Sequence, residues 1–155
     1  MPQAEEPTLI STFYVGGTLM GVNAMDVQEV VQFSSLTPVH HASDYISGII
    51  NLRGQIVTVV DLKRRLEIDD QDDQSARDIF IVSSQGENIG LMVDEAADVI
   101  PADMDNLAPL PANMSLVQQK FLKGICQSEI PPIAILDINS VLNMEEDETA
   151  SPGRR

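Results

Sequence analysis

Apolar positions in this chain come in short runs separated by polar, glycine-containing turns, the spacing of strands rather than of long helices. FYVGGTLMGVNAMDVQEVV (13–31) reads as an apolar strand, a turn and a second strand, and FIVSSQGENIGLMVDEAADVI (80–100) repeats that plan. Each predicts a β-hairpin. Aligning Gly21 with Gly90 places Glu29 on Asp98, Val30 on Val99 and Val31 on Ile100 without a gap. A second block repeats as well. GIINLRGQIVTVVDLKRRL (48–66) lies over GICQSEIPPIAILDINSVL (124–142), with Gly48 on Gly124, Val57 on Ile133, Val59 on Ile135, Asp61 on Asp137 and Leu66 on Leu142. The chain therefore reads as a duplication: a first-half subdomain over about 13–66, an acidic linker over about 67–77 and a second-half subdomain over about 78–142. Each copy is expected to carry about five short strands, and two copies are too few for a solenoid.

Asp61 and Asp137 each end a β-branched run and precede apolar residues four apart, Leu62 and Leu66 in one copy, Ile138 and Leu142 in the other. This predicts short helices with aspartate N-caps. SDYIS (43–47) and SLVQQKFLK (115–123) are each expected to form a short helix, with Ser43 and Ser115 as caps. Many short strands with frequent turns point to a mainly all-β fold of two small barrels packed against each other. Gly54 suits the positive-φ position of a type II turn. Gly48, matched by Gly124 in the other copy, suits a place where a helix approaches the strand closely.

The repeat serves as an internal control. Arg53 and Gly54 fall on Glu129 and Ile130, so the architecture does not require an Arg-Gly turn. Glu29 falls on Asp98, so the first half can hold an opposite-charge pair, Glu29 with Arg53, where the second half opposes two acids. That asymmetry marks the first half as the copy with the special surface.

Composition removes several functions. Nine basic residues against 24 acidic ones leave a formal charge of -15, which argues against nucleic acid and against an anionic membrane surface. A charge-steered partner is expected to be basic or locally basic. Much of the excess lies in DDQDDQ (69–74) and EEDE (145–148), read as solvated linker and tail, and residues 1–8 and 145–155 are expected to be disordered. The single cysteine, Cys126, sits in an apolar run, and His40 and His41 are adjacent in a loop, so no disulfide, metal site or cofactor is expected. The chain carries no GxSxG, P-loop, CxxC or HExxH motif, and no enzymatic activity is expected. The start, MPQAEEPTLI, lacks the features of a signal peptide, and no apolar run approaches the roughly 20 residues that span a bilayer. A cytoplasmic protein without direct membrane insertion is expected.

GIINLRGQIVTVVDL, preceded by VQEVV and Pro38, resembles the core signature of the CheW chemotaxis coupling proteins. GLMVDEAADVI and FLKGI…AILDI resemble later motifs of that family, in the same order, and the resemblance covers about residues 9 to 144. It implies two tandem five-stranded SH3-like β-barrel subdomains with short helices, sharing a hydrophobic core. It also implies a non-enzymatic adaptor with two partners, the regulatory domain of the histidine kinase CheA and the cytoplasmic tip of methyl-accepting chemoreceptors. Such an adaptor is expected to be a monomer in isolation and to be recruited to membrane-associated or cytoplasmic receptor arrays.

On this reading the receptor is expected at Arg53, Glu29, Val27, Val30, Gly48 and Gly54. Arg53 can bond two acceptors at once, and Val27 and Val30 straddle Glu29, where an apolar groove for the receptor helix is expected. The kinase is expected at exposed barrel ends and edge strands, with no residue assigned. Two alternatives stay open. The same fold can serve a pilus-based or other non-flagellar two-component pathway. A small hydrolase would instead unite His40 or His41 with carboxylates in a pocket.

Overall fold

The computed structural model describes residues 7–33, 35–68, 78–127 and 129–143. The disorder expected at the two ends and the acidic linker concern residues 1–6, 69–77 and 144–155, which lie outside the described ones. Thr8, placed in the N-terminal disordered stretch by the sequence, already belongs to a strand.

The described strands are β1 (Thr8–Val15), β2 (Thr18–Asn23), β3 (Val27–Gln32), β4 (Ile46–Leu52), β5 (Gln55–Asp61), β6 (Asp78–Ser84), β7 (Glu87–Val93), β8 (Glu95–Ala102), β9 (Leu122–Cys126) and β10 (Ile133–Leu136). Three short helices join them: α1 (Leu62–Arg65), α2 (Leu116–Phe121) and α3 (Ile138–Leu142). Two-residue turns close three hairpins, and in each both turn residues take positive φ: Gly16 and Gly17 between β1 and β2, Arg53 and Gly54 between β4 and β5, Gln85 and Gly86 between β6 and β7. This is the type I′ pattern, whose twist matches that of the flanking strands.

The strands form two five-stranded sheets, ordered β8-β1-β2-β10-β9 and β3-β6-β7-β5-β4. The strand count is the one expected, but the sheets do not follow the sequence halves. Each takes one hairpin from one half and three strands from the other, so the subdomains are not residues 13–66 and 78–142, and they are interleaved rather than tandem. The repeat is nevertheless visible in the register. Gly21 stands beside Ile135 in the parallel β2–β10 pair, and Gly90 beside Val59 in the parallel β5–β7 pair. Likewise Ile10 faces Ile100 as Val31 faces Ile79. Equivalent copies offer equivalent strand edges, so a hairpin can satisfy the same pairing in its own half or in the other. The sequence pattern is identical in the two cases.

The two sheets share one core. Phe13 from β1 meets Phe80 from β6 with ring centroids 4.9 Å apart, among Val15, Met20, Leu91 and Leu136. Smaller clusters lie within each sheet, one around Ile10, Ile133 and Ile135, the other around Val57, Val59, Ile79 and Ile81. Cys126 is buried in the first of these.

The caps follow the sequence except at one place. Asp61 Oδ1 accepts from the amides of Lys63 (3.1 Å) and Arg64 (3.4 Å), Asp137 Oδ1 from Ser140 (3.3 Å), and the Ser115 hydroxyl from Gln118 (3.1 Å). Ser43 caps no helix. The segment after it makes a turn, with the Ile46 amide bonded to the Ser43 carbonyl at 3.0 Å, and runs straight into β4.

Arg65 explains part of that difference. Its guanidinium, in a residue only 6% exposed, lies 4.2 Å from the Tyr45 ring centroid and 4.6 Å from that of Phe121. It donates to the carbonyls of Val141 (3.0 Å) and Asn143 (3.2 Å) at the end of α3. In the repeat, Tyr45 matches Phe121 and Arg65 matches Val141. One buried cation therefore sits where the two copies meet, between equivalent rings. The two rings occupy matching places although one follows a turn and the other ends a helix. No helix among the described residues is long and apolar enough to cross a membrane.

Candidate functional site

The sheet containing β4 has β3 and β4 as its two edge strands, yet the chain curls until they approach. One bridge, Thr37 to Ile49, lays the segment after β3 against β4, with backbone bonds of 2.9 Å in both directions. Glu29 on β3 and Arg53 at the tip of the β4–β5 hairpin thereby come together. Arg53 Nη1 donates to Glu29 Oε1 at 3.2 Å, and Nη2 donates to Oε2, closing a bidentate fork. The fork is exposed, more so on the arginine (68% of its side chain) than on the glutamate (30%).

The local sequence builds this tip. The Asn51 side chain accepts from the Gly54 amide at 2.9 Å, clamping the turn. Leu52 packs toward Val57 and Val59, anchoring the hairpin from inside. Arg53 has φ 52° and Gly54 φ 85°. The positive φ expected of Gly54 is present, but the turn is not type II, because Arg53 shares the left-handed conformation. Donation from Arg53 is the main cause that holds the Glu29 carboxyl below the usual glutamate range, against slight desolvation and with help from the nearby positive charge. The same bond and charge raise Arg53 further. Two of five guanidinium N–H donors serve Glu29, which leaves the others available to a partner's carboxylate or carbonyl.

The other expected residues divide. Val30 is 43% exposed, while Val27 is half-buried and packs against the shared core. Ile56, 63% exposed on the outer face of the same hairpin, adds an apolar position that the sequence reading did not nominate. Gly54 stands at the open tip, where an added Cβ would meet nothing within 4 Å. Gly48 is buried, and a Cβ there would lie 2.5 Å from the Thr37 carbonyl oxygen. The close approach expected at Gly48 is real, but an extended segment makes it, not a helix. Gly124 takes the same role against Ala108 in the other copy.

Sequence reasoning missed Arg65. The available signal was the repeat itself, which sets this arginine on an apolar position, Val141. His40 and His41 are both exposed, and no hydrogen bond or ion pair with a carboxylate reaches either among the described residues, contrary to what a histidine-based hydrolase needs. Among the described residues, no three His, Cys, Asp or Glu side chains group as metal ligands.

Comparison with known proteins identifies the family and the fold. The CheW-like domain family matches residues 10–146. The chain is 30% identical over 138 residues to the chemotaxis protein CheW of Rhizobium meliloti, covering 89% of each, and 29% identical over 140 residues to that of Bacillus subtilis, covering 90% of each. The crystal structure of the scaffolding protein TtCheW from Thermoanaerobacter tengcongensis superposes with a TM-score of 0.77 at 34% identity, over 88% of this chain and 93% of that one. With its two interleaved five-stranded sheets, shared core and Arg-Gly hairpin tip, this chain belongs to the CheW-like family of chemotaxis scaffolding and coupling proteins.

Proposed function

We propose that this protein is a non-enzymatic cytoplasmic adaptor that binds the tip of methyl-accepting chemoreceptors and the regulatory domain of the histidine kinase CheA, and that the receptor docks at the Arg53–Glu29 fork. The observation that carries the receptor assignment is an exposed guanidinium held flat by a bidentate glutamate at a hairpin tip. A planar, pre-oriented cation with spare donors suits carboxylates and carbonyls on a helical hairpin. Val30 and Ile56 supply exposed apolar positions on the same sheet for such a helix. Gly54 allows the tip, whereas Gly48 and Val27 act from within, shaping β4 and backing β3. The second copy lacks the fork, with Glu129 in place of Arg53, so receptor binding is assigned to the first copy alone.

An ion pair this exposed is screened by water and adds little to stability, so Arg53→Glu is expected to leave the fold intact and disrupt the site. Pull-downs with a receptor-tip fragment and with the kinase regulatory domain test this. The variant should lose receptor affinity by at least about tenfold, as for a central interface arginine, keep the kinase, and melt within a few degrees of wild type. Unchanged receptor capture would overturn the assignment, and a large drop in melting temperature would make Arg53 a folding residue.

A further inference from the structure

The β4–β5 and β6–β7 hairpins are each zipped to the tip, with Leu52 paired to Gln55 and Ser84 to Glu87. They are not zipped to each other. The parallel pairing of β5 with β7 begins only at Thr58 and Ile89 and runs to Asp61 and Met92. Before that point the strands part, and Gln55, Ile56, Glu87 and Asn88 line an open cleft between the two tips. The unpaired stretch leaves main-chain groups of both strands facing the gap.

Carried back two residues, the register of Thr58 with Ile89 sets Ile56 beside Glu87 on one face. It is the outer face, because Val57 and Val59 alternate with Ile56 and point into the barrel. Ile56 is 63% exposed, and Glu87 is exposed as well. The order around the rim is therefore Glu29 on β3, Arg53 at the β4–β5 tip, Ile56 on β5 and Glu87 on β7. Glu29 holds Arg53, whereas Glu87 makes no ion pair among the described residues. The cations of α1 follow the far end of β5, about 20 Å away at about 3.3 Å per residue. Among the described residues the cleft thus offers a carboxylate, the side-chain amide oxygens of Gln55 and Asn88 and open main-chain acceptors, with no cation of its own.

We infer that this cleft takes a Lys or Arg side chain of the docked receptor helix and that Glu87 is the residue that selects it. The inference rests on the receptor assignment at Arg53. Arg53, Ile56 and Glu87 follow one another around the rim at strand spacings of about 4.8 Å, and a helix offers side chains at every turn of about 5.4 Å. One helix can therefore present a carboxylate to Arg53, an apolar side chain to Ile56 and a cation to the cleft, in that order. The aliphatic stem of Lys or Arg suits Ile56 at the edge of the cleft, and its charged head suits Glu87. A helix with the charges in the reverse order meets like charge at both ends. Glu87 thereby fixes the direction of docking as well as the partner.

Titration calorimetry of the full chain with the receptor-tip fragment tests this, with Arg53→Glu as the reference. Glu87→Gln is expected to weaken binding roughly twofold to fivefold, the worth of one exposed ion pair. Glu87→Lys is expected to weaken it about tenfold, because repulsion replaces attraction. Reversing the Lys and Arg residues of the fragment to Glu, one at a time, should reveal one substitution that restores affinity to Glu87→Lys and lowers it for wild type. Wild-type affinity in both Glu87 variants, while Arg53→Glu loses binding, would overturn this inference and leave the receptor site standing. Retained binding in Arg53→Glu would overturn the receptor reading and this inference with it. A loss in Glu87→Lys that no reversal restores would also overturn the inference, because Glu87 would then meet no receptor cation.

Discussion

Arg53 occupies a backbone conformation that favours other residues. Left-handed φ costs a residue with a Cβ about 1–2 kcal/mol relative to the right-handed region, and type I′ turns prefer Asn, Asp or Gly. Gln85 accepts the same conformation in the β6–β7 turn, so the fold tolerates it. Arg53→Asn is therefore expected to raise stability by a few tenths to about 1 kcal/mol while weakening receptor capture. Denaturant melts and the receptor pull-down should move in opposite directions; a loss of stability would show that the fork, not the turn, holds the tip. The pH behaviour of Glu29 gives a second test. Its carboxyl is depressed chiefly by the hydrogen bond from Arg53. A depressed carboxylate contributes stability that is present above its unfolded pKa and is lost as pH falls through the folded one. The fork is thus complete at neutral pH and opens only in acid. Carbon-detected NMR titration should place the Glu29 midpoint below the usual glutamate range in wild type and return it to that range in Arg53→Gln.

At the scale of elements, the two glycines of the NLRG hairpin do different work. Gly54 needs only its φ of 85°, with open space around it, so Gly54→Ala is expected to cost about 1 kcal/mol. Gly48 combines a φ of 150° with a carbonyl 2.5 Å from where a Cβ would be. Gly48→Ala is expected to cost at least about 2 kcal/mol, since strain and a backbone clash add. Chemical denaturation of the two variants checks the order, and equal losses would mean that the Thr37–Ile49 bridge yields easily. The aspartate caps were legible in the sequence because a cap is local: side chain and amide lie two or three residues apart. The Ser43 helix was misread for the opposite reason. Tyr45 is placed by the distant Arg65 and by its carbonyl, which accepts from the Asp61 amide at 2.7 Å. Neither contact leaves a trace in SDYIS.

For the whole molecule, the exchange of hairpins makes each half depend on the other. Without the second half, β2 loses β10, β1 loses β8, and β3 loses β6. Residues 1–68 and 69–155, produced separately, are each expected to stay unfolded and to regain β structure only on mixing, as measured by circular dichroism. A lone half that folds would contradict the interleaving. Phe13 and Phe80 meet in the shared core, and Arg65 bonds the far end of the other copy, so the two sheets are expected to melt together.

By itself the sequence determined the strands, the tight turns, the aspartate caps, the duplication and the pairing partners Glu29 and Arg53. Each is written in local periodicity or in the difference between two copies. Only the tertiary structure decided which hairpin joins which sheet, that Gly48 is buried while Val30 is open, and that Arg65 is a buried clasp rather than one more surface charge. The copies present equivalent edges, so composition and spacing are the same whichever way the hairpins pair. Chain connectivity and the shared core choose between them, and both act over distances that no window of sequence spans.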